Sequence, residues 1–256
     1  MPGLGHSEGP GIDGPIVSSA TKRSAKRRSP EVLRTIADHG AADLAGATAE
    51  DLIAWAAHEF GDRIIATQSM ANTALSTLIA AVAPGIPVVF VDTGYHFAET
   101  LDTLERVRTQ KGLTIVSISS PLSVEEQSEQ FGPDLWSRDP DLCCSIRKVQ
   151  PLEEILASHD AWLTGLRRGA VGTRRDTRTI EYNAKKNVVK VSPLLDWSDA
   201  DLAAFTAEHK VEVNPLISQG FPSIGCRPCT GPVSAGEDSR AGRWSGFDKT
   251  ECGIHQ

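Results

Sequence analysis

Two short apolar runs, RIIAT at 63–67 and IPVVFVDTG at 86–94, flank ANTALSTLIAAVA at 71–83, whose apolar residues recur at helical spacing. Strands too apolar to keep a solvated face, joined by a segment long enough for a crossover helix, pack as parallel neighbours in one sheet. The pattern repeats. ETLDTLERVRTQKG at 99–112 reads as a helix before a strand, LTIVSIS at 113–119, and a helix from about Arg147 to Leu156 precedes HDAWLTGLR at 159–167. Strands alternating with helices predict an α/β domain built on a doubly wound, mostly parallel sheet. Two helices precede the first strand. One has Ser29 as its cap and Pro30 at its first position; the other has Thr48 and Asp51 as a capping box and stops at Gly61,. From about Gly220 the text turns to Gly, Pro, Ser and Arg without periodicity, which predicts a loop-rich C-terminal segment.

With 256 residues and a formal net charge of -7, the chain is long enough to bury a core and too acidic for a general nucleic-acid binder,. Residues 1–28 run the other way, with Lys22, Arg23, Lys26, Arg27 and Arg28 against Glu8 and Asp13. Gly and Pro fill the stretch before them, so 1–28 reads as a disordered, solvated tail with no assigned function. No apolar run approaches the roughly 20 residues that span a bilayer, and the N-terminus has no secretory apolar stretch. A cytoplasmic protein with no membrane or nucleic-acid partner is the expectation; the sequence does not set its oligomeric state.

The five cysteines divide as four plus one: Cys143 and Cys144 in CCSIRK, Cys226 and Cys229 in GCRPC, and Cys252 near the C-terminus. Adjacent cysteines make a poor disulfide, since neighbouring Cα atoms lie about 3.8 Å apart where a relaxed bridge wants about 5.5 Å. Zinc and an iron-sulfur cluster both accept four thiolates. A cube that offers separate irons to neighbouring sulfurs suits the CC pair better than one tetrahedral ion, with a bare dithiol at 226 and 229 as a third reading. Cys252 is left over. It is either a tolerated free thiol on a frayed tail or a nucleophile, activated if Lys249 and His255 fold close to it.

Arginines and lysines recur beside the cysteine motifs and strand ends: Arg147 and Lys148, Arg167 and Arg168, Arg174 and Arg175, Arg240 and Arg243. On an acidic chain this placement suggests convergence on an anion, because guanidinium groups clamp phosphate or sulfate bidentately. The turn ATQSMANTA, with Ser69 near a helix start, resembles a phosphate-binding turn without a glycine-rich signature.

Together, VDTGYHFAET, CCSIRKVQPL, WLTGLRR, KVSPLLDWSDADL, GFPSIGCRPCT, GRW and KTECGIH resemble the assimilatory adenylylsulfate reductases, the iron-sulfur-containing branch of the adenylylsulfate and phosphoadenylylsulfate reductase family. The resemblance spans about residue 60 to the end. It implies a fold like that of the adenine-nucleotide alpha-hydrolases, and thioredoxin-dependent reduction of adenosine 5'-phosphosulfate to sulfite and AMP, in sulfate assimilation and cysteine biosynthesis. It further implies Cys252 as nucleophile, passing through a thiosulfonate, and a 4Fe-4S cluster on Cys143, Cys144, Cys226 and Cys229. Lys148 would bridge cluster and substrate, Arg240, Arg243 and His255 would face the sulfate, and Ser69, Thr93, Gly94, Gly165 and Arg174 would hold the nucleotide. The division that follows is a tail at 1–28, a nucleotide-binding reductase domain at 29–218, and an extension at 219–256 carrying Cys-x-x-Cys and Cys252. Rival readings are 3'-phosphoadenylylsulfate as substrate, an ATP-dependent adenylating enzyme on the same fold, and a zinc-stabilised nucleotide-binding protein without catalysis. The TQSMANTA turn departs from the acidic, Ser-Gly-rich form of relatives and from the glycine-rich pyrophosphate loop of adenylating enzymes.

Overall fold

The computed structural model describes residues 27–110, 112–168, 176–234 and 236–255. Helix α1 (Pro30–Asp43) starts where its sequence predicts, with Ser29 accepting from the Val32 N–H,. Helix α2 (Ala49–Phe60) opens on the reciprocal Thr48–Asp51 box and closes at Gly61. The alternating units follow: β1 (Ile64–Thr67), α3 (Ala74–Val82), β2 (Val88–Asp92), α4 (Ala98–Arg108) and β3 (Ile115–Ser119). Next come the short helices α5 (Val124–Phe131), α6 (Leu135–Arg138) and α7 (Pro140–Cys144), a π turn at Ser145–Val149, α8 (Gln150–Leu156) and β4 (Ala161–Thr164). A hairpin of β5 (Ile180–Asn183) and β6 (Val188–Val191) precedes α9 (Asp199–Glu208). Beyond α9 the described residues hold two 3-10 turns, Pro215–Gln219 and Arg227–Cys229, and otherwise loops.

The six strands lie in the order β3-β2-β1-β4-β6-β5, all parallel except β5, which runs against β6. One face carries α1 to α3, with Leu33, Ile53, Leu75 and Ile79 packed on Ile64, Ala66, Val88 and Leu163. The other carries α8, whose Leu152 and Leu156 pack on Ile65, Val89, Trp162 and Val188. Ile64 and Ile65 therefore bury on opposite sides, which is why RIIAT reads as an unbroken apolar run. Strand order reverses between β1 and β4, so a crevice opens at their carboxyl ends,.

The β5–β6 hairpin is missing from the sequence reading. Lys190 interrupts its apolar pattern, yet its side chain is only 3% exposed, directly opposite Glu181 in the ladder, with Nζ 2.9 Å from Oε1. A paired charge inside a strand looks like a loop residue until its partner is known.

The expected tail falls outside the described residues up to position 26. Arg27 and Arg28 are described, and both approach the fully buried Asp160 carboxylate, at 3.8 and 3.9 Å, beside Arg63 at 2.7 Å. Removing one partner of a buried ion pair strands the other's charge. Asp160→Ala is expected to lose about 3 kcal/mol of stability; an unchanged urea midpoint would show that the arginines find water instead. No helix among the described residues is long and apolar enough to cross a membrane.

Candidate functional site

Four of the five cysteines line one narrow cavity. Cys143 and Cys144 close α7, whose start is capped by Asp139, accepting from Leu142 N at 2.9 Å. Cys226 and Cys229 bracket the second 3-10 turn, tied by Cys229 N to Cys226 O at 3.0 Å and pinned to the domain by Arg227 N to Tyr95 O at 2.7 Å. Tyr95, Trp136, Arg147, Lys148, Arg243 and Trp244 are among the other residues of the wall. Burial, then the neighbouring thiols Cys144, Cys226 and Cys229, push the Cys143 thiol up to about 12. Burial, then Cys226 and Cys144, push Cys229 up to about 11, and burial also raises Cys144. Cys226 goes the other way: burial opposes its ionisation, but Lys148, the Thr93 hydroxyl 3.4 Å away and Arg243 more than offset it. Four thiols this close cannot all ionise without cationic charge between them, so the donor set fits a thiolate-ligated cluster. Among the described residues no group of three or more His, Cys, Asp or Glu side chains is set to hold a metal ion. A four-iron cube takes one thiolate per corner and does not need convergence on a single point. Gln127, buried on α5, donates from Nε2 towards Cys143 Sγ at 3.9 Å, a contact no local pattern announces.

The π turn after the cysteine pair has a physical cause. Pro151 has no N–H, and its ring would crowd the carbonyl of residue 147 in a regular helix; the wider turn, with Gln150 N donating to Ser145 O, makes room,. Both basic residues of that turn are buried. Arg147, expected among the anion-facing groups, is instead a brace: its guanidinium donates to Thr93 O at 2.7 Å and Leu122 O at 2.6 Å. Gly94, at φ 72°, leaves it room, since a Cβ there would sit 3.1 Å from Arg147 Nη2 and 2.8 Å from Val124. Arg167 and Arg168 also have other partners, Asp199 at 2.7 Å and Asp196 at 3.0 Å. Lys148 enters the cysteine cavity. Burial and the nearby Arg243 work against its charge, but Cys226, Cys252 and Cys144 outweigh them and raise its pKa, so the ammonium is favoured by thiols of the cavity and by the fifth cysteine alike.

The C-terminal residues are docked on the domain. Lys249 pairs with Asp141 and lies over the Trp244 ring at 5.4 Å. Arg240 donates to Thr250 O at 2.8 Å and meets Glu251 at 3.4 Å. Ile254 packs on the α8 face of the sheet, and His255 stacks on Trp162 with ring centroids 5.3 Å apart. Cys252 is half-buried between these anchors. Arg243 stacks on Trp244 at 4.4 Å and donates from Nη1 to Ser223 Oγ at 3.3 Å; its buried Nε has no hydrogen-bond partner among the described residues. A guanidinium held by its ring face, with a spare N–H, is ready for an anion.

The remaining expected residues occupy the carboxyl ends of adjacent strands: exposed Ser69 after β1, Thr93 and Gly94 after β2, exposed Gly165 after β4. The switch point brings these three loops to one crevice. Gln68 turns inward, donating to Asn72 O at 2.7 Å and accepting from Ser76, so it shapes the loop from behind. Thr93 directs its hydroxyl at Cys226 and takes a hydrogen bond from Tyr95 N at 3.2 Å. His96 Nε2 lies 3.2 Å from Thr93 N and 3.1 Å from Val91 O, and burial lowers its pKa. Arg174 lies outside the described residues.

Residues 64–232 match the phosphoadenosine phosphosulfate reductase domain. The chain is 45% identical over 230 residues to the adenosine 5'-phosphosulfate reductase of Streptomyces coelicolor, covering 90% of this chain and 98% of that one. It is 41% identical over 240 residues to the protein of the same name from Mycobacterium tuberculosis, covering 87% and 94%. Among solved structures, a phosphoadenylyl-sulfate reductase from Candida auris in complex with phosphate superposes with a TM-score of 0.66 at 26% identity, over 82% of this chain and all of that one. An FMN adenylyltransferase from Candida glabrata shares the fold alone, with a TM-score of 0.51 at 16% identity over 82% of this chain and 69% of that one.

Proposed function

The chain belongs to the phosphoadenosine phosphosulfate reductase family, and from that premise we propose that it reduces adenosine 5'-phosphosulfate to sulfite and AMP in sulfate assimilation, with Cys252 as nucleophile and thioredoxin as reductant. It is an oxidoreductase acting on a sulfur group. The observation that carries the reading is Lys148, a buried cation on the wall of the four-thiol cavity that also interacts electrostatically with Cys252, with Arg243 on the same wall.

The steps follow from the charges. The Cys252 thiolate attacks the sulfate sulfur, an S–S bond forms, the S–O bond to the phosphate breaks, and AMP leaves with that electron pair. Negative charge grows on the sulfonyl and phosphate oxygens, where Lys148 and the spare Nε–H of Arg243 stabilise the transition state more than the ground state,. Cys252 then carries a thiosulfonate. A thioredoxin thiolate attacks the Cys252 sulfur and expels sulfite, and the second thioredoxin thiol resolves the mixed disulfide, so the dithiol supplies both electrons. Residues 219–256 act as a movable extension: docked through Arg240, Lys249, Ile254 and His255 while sulfur is transferred, released when the reductant arrives. Residues 29–218 supply the nucleotide crevice.

Cys143, Cys144, Cys226 and Cys229 would hold a 4Fe-4S cluster, which when bound cross-links α7 to the extension and supplies charge beside Lys148 without cycling electrons. The deciding experiment is anaerobic purification with iron and sulfide analysis, followed by sulfite release from adenylylsulfate and from its 3'-phosphorylated form. Brown protein with preference for the unphosphorylated nucleotide is expected, whereas colourless zinc protein without turnover would overturn the assignment. Lys148→Ala should keep its iron and lose on the order of 10²-fold to 10³-fold in kcat, as when one transition-state donor is removed. Loss of iron with unchanged turnover per folded molecule would reverse that role.

A further inference from the structure

The loop from Gln68 to Thr73 is held from outside by a segment far along the chain. Met70 sits at φ 60°, in the left-handed region that bulky residues seldom adopt, with its side chain fully buried,. Such a conformation persists only where the surroundings over-determine it. The surroundings are residues 211–216, which follow α9. Thr73 donates to Glu212 O through its N–H at 3.1 Å and its hydroxyl at 2.9 Å, Asn72 bridges Val213, and Asn214 N donates to Ala71 O at 2.9 Å. The Asn214 side chain is fully buried, and its Nδ2 donates to Met70 O at 3.3 Å and to Thr100 Oγ1 at 3.1 Å. Its Oδ1 accepts from Leu216 N at 3.1 Å. Both N–H bonds and the carbonyl of one amide are thus committed.

Holding the Met70 carbonyl has a consequence on the other side of the peptide. The Met70–Ala71 bond is trans, since the described chain has no cis peptide, so the Ala71 N–H points away from Asn214,. Among the described residues no protein acceptor takes the N–H groups of Ser69, Met70 or Ala71. Successive free N–H groups around a left-handed residue form a concave seat for an anion. We propose that Asn214 is a positioning residue for the nucleotide: through the Met70 carbonyl it fixes this turn, so that the N–H groups of Ser69 to Ala71 meet the phosphate already aligned. The inference rests on the nucleotide reading of the crevice given above.

The test is AMP affinity by calorimetry on cluster-loaded enzyme, with steady-state turnover of adenylylsulfate. Asn214→Ser keeps an acceptor for Leu216 N but is too short to reach Met70 O. AMP binding should weaken about tenfold or more and KM should rise in parallel, with kcat changed less than about threefold. Asn214→Asp, with no donor for Met70 O, should behave alike. Thr100→Val, which removes only the other acceptor of the same amide, should leave AMP affinity within about twofold. Unchanged AMP affinity and KM with a lower kcat per folded molecule would overturn the proposal, as would failure of both Asn214 variants to fold, since Asn214 would then serve the fold alone. Wild-type protein that binds no AMP or makes no sulfite would instead overturn the underlying nucleotide reading.

Discussion

Cys252→Ser protein is expected to purify with its iron, colour and AMP affinity intact and to release sulfite slower by on the order of 10³-fold or more, because a neutral hydroxyl is a far poorer nucleophile than a thiolate. The structure says why the rest should survive. The contacts that dock the C-terminal residues come from Lys249, Thr250, Glu251, Ile254 and His255, none of which uses the Cys252 sulfur. The variant therefore changes one atom inside an unchanged arrangement. Wild-type enzyme mixed with adenylylsulfate and no reductant should gain one sulfonate, roughly 80 Da by the chemistry of thiolate attack on sulfate, on the peptide holding Cys252. Thioredoxin should remove it. The same mass on a peptide holding Cys226 or Cys229, or sulfite from Cys252→Ser, would mean that nucleophile and ligands have been exchanged in this account.

The parallel units were legible because the central strands β1, β2 and β4 are buried on both faces, which leaves a mark within five residues: Ile64, Ile65 and Ala66 are apolar in succession. Caps were legible for the same local reason, as Thr48 and Asp51 show. The placement of the candidate site residues was legible in part. Residues at strand ends, Ser69, Thr93, Gly94 and Gly165, follow from topology once the strands are placed. Arg147, Arg167 and Arg168 were misread because sequence shows a charge and not its partner: one is spent on the backbone carbonyls of Thr93 and Leu122, two on Asp199 and Asp196. Gln127 beneath Cys143, Thr93 against Cys226 and Asn214 beneath Met70 could not be foreseen, since each contact joins residues 16 to 144 positions apart and depends on how α5, β2 and the segment after α9 pack.

Cys226→Ser should fail in the opposite order from Cys252→Ser, losing iron first and activity as a result. Cys226 is 9% exposed, its thiol interacts with Lys148 and the Thr93 hydroxyl, and its carbonyl anchors the 3-10 turn that presents Cys229. Serine can keep that backbone but offers a harder oxygen ligand in place of a thiolate, so three thiolates remain where a cube wants four. Most of the iron and the visible absorbance should be lost. The thermal midpoint should fall as well, because the cluster would cross-link α7 to a turn some eighty residues later, and metal binding free energy is folding free energy. AMP binding should survive within a few-fold, since the loops after β1 and β4 draw none of their hydrogen bonds from the 3-10 turn, and the loop after β2 meets it only through the Thr93 hydroxyl and through Tyr95 O, whose donor is the Arg227 backbone N–H that serine leaves in place. Full iron with no sulfite would place Cys226 in the chemistry. Iron loss with full sulfite release would show that Lys148, Arg243 and Cys252 hold the sulfate unaided, and that the four thiols serve stability alone.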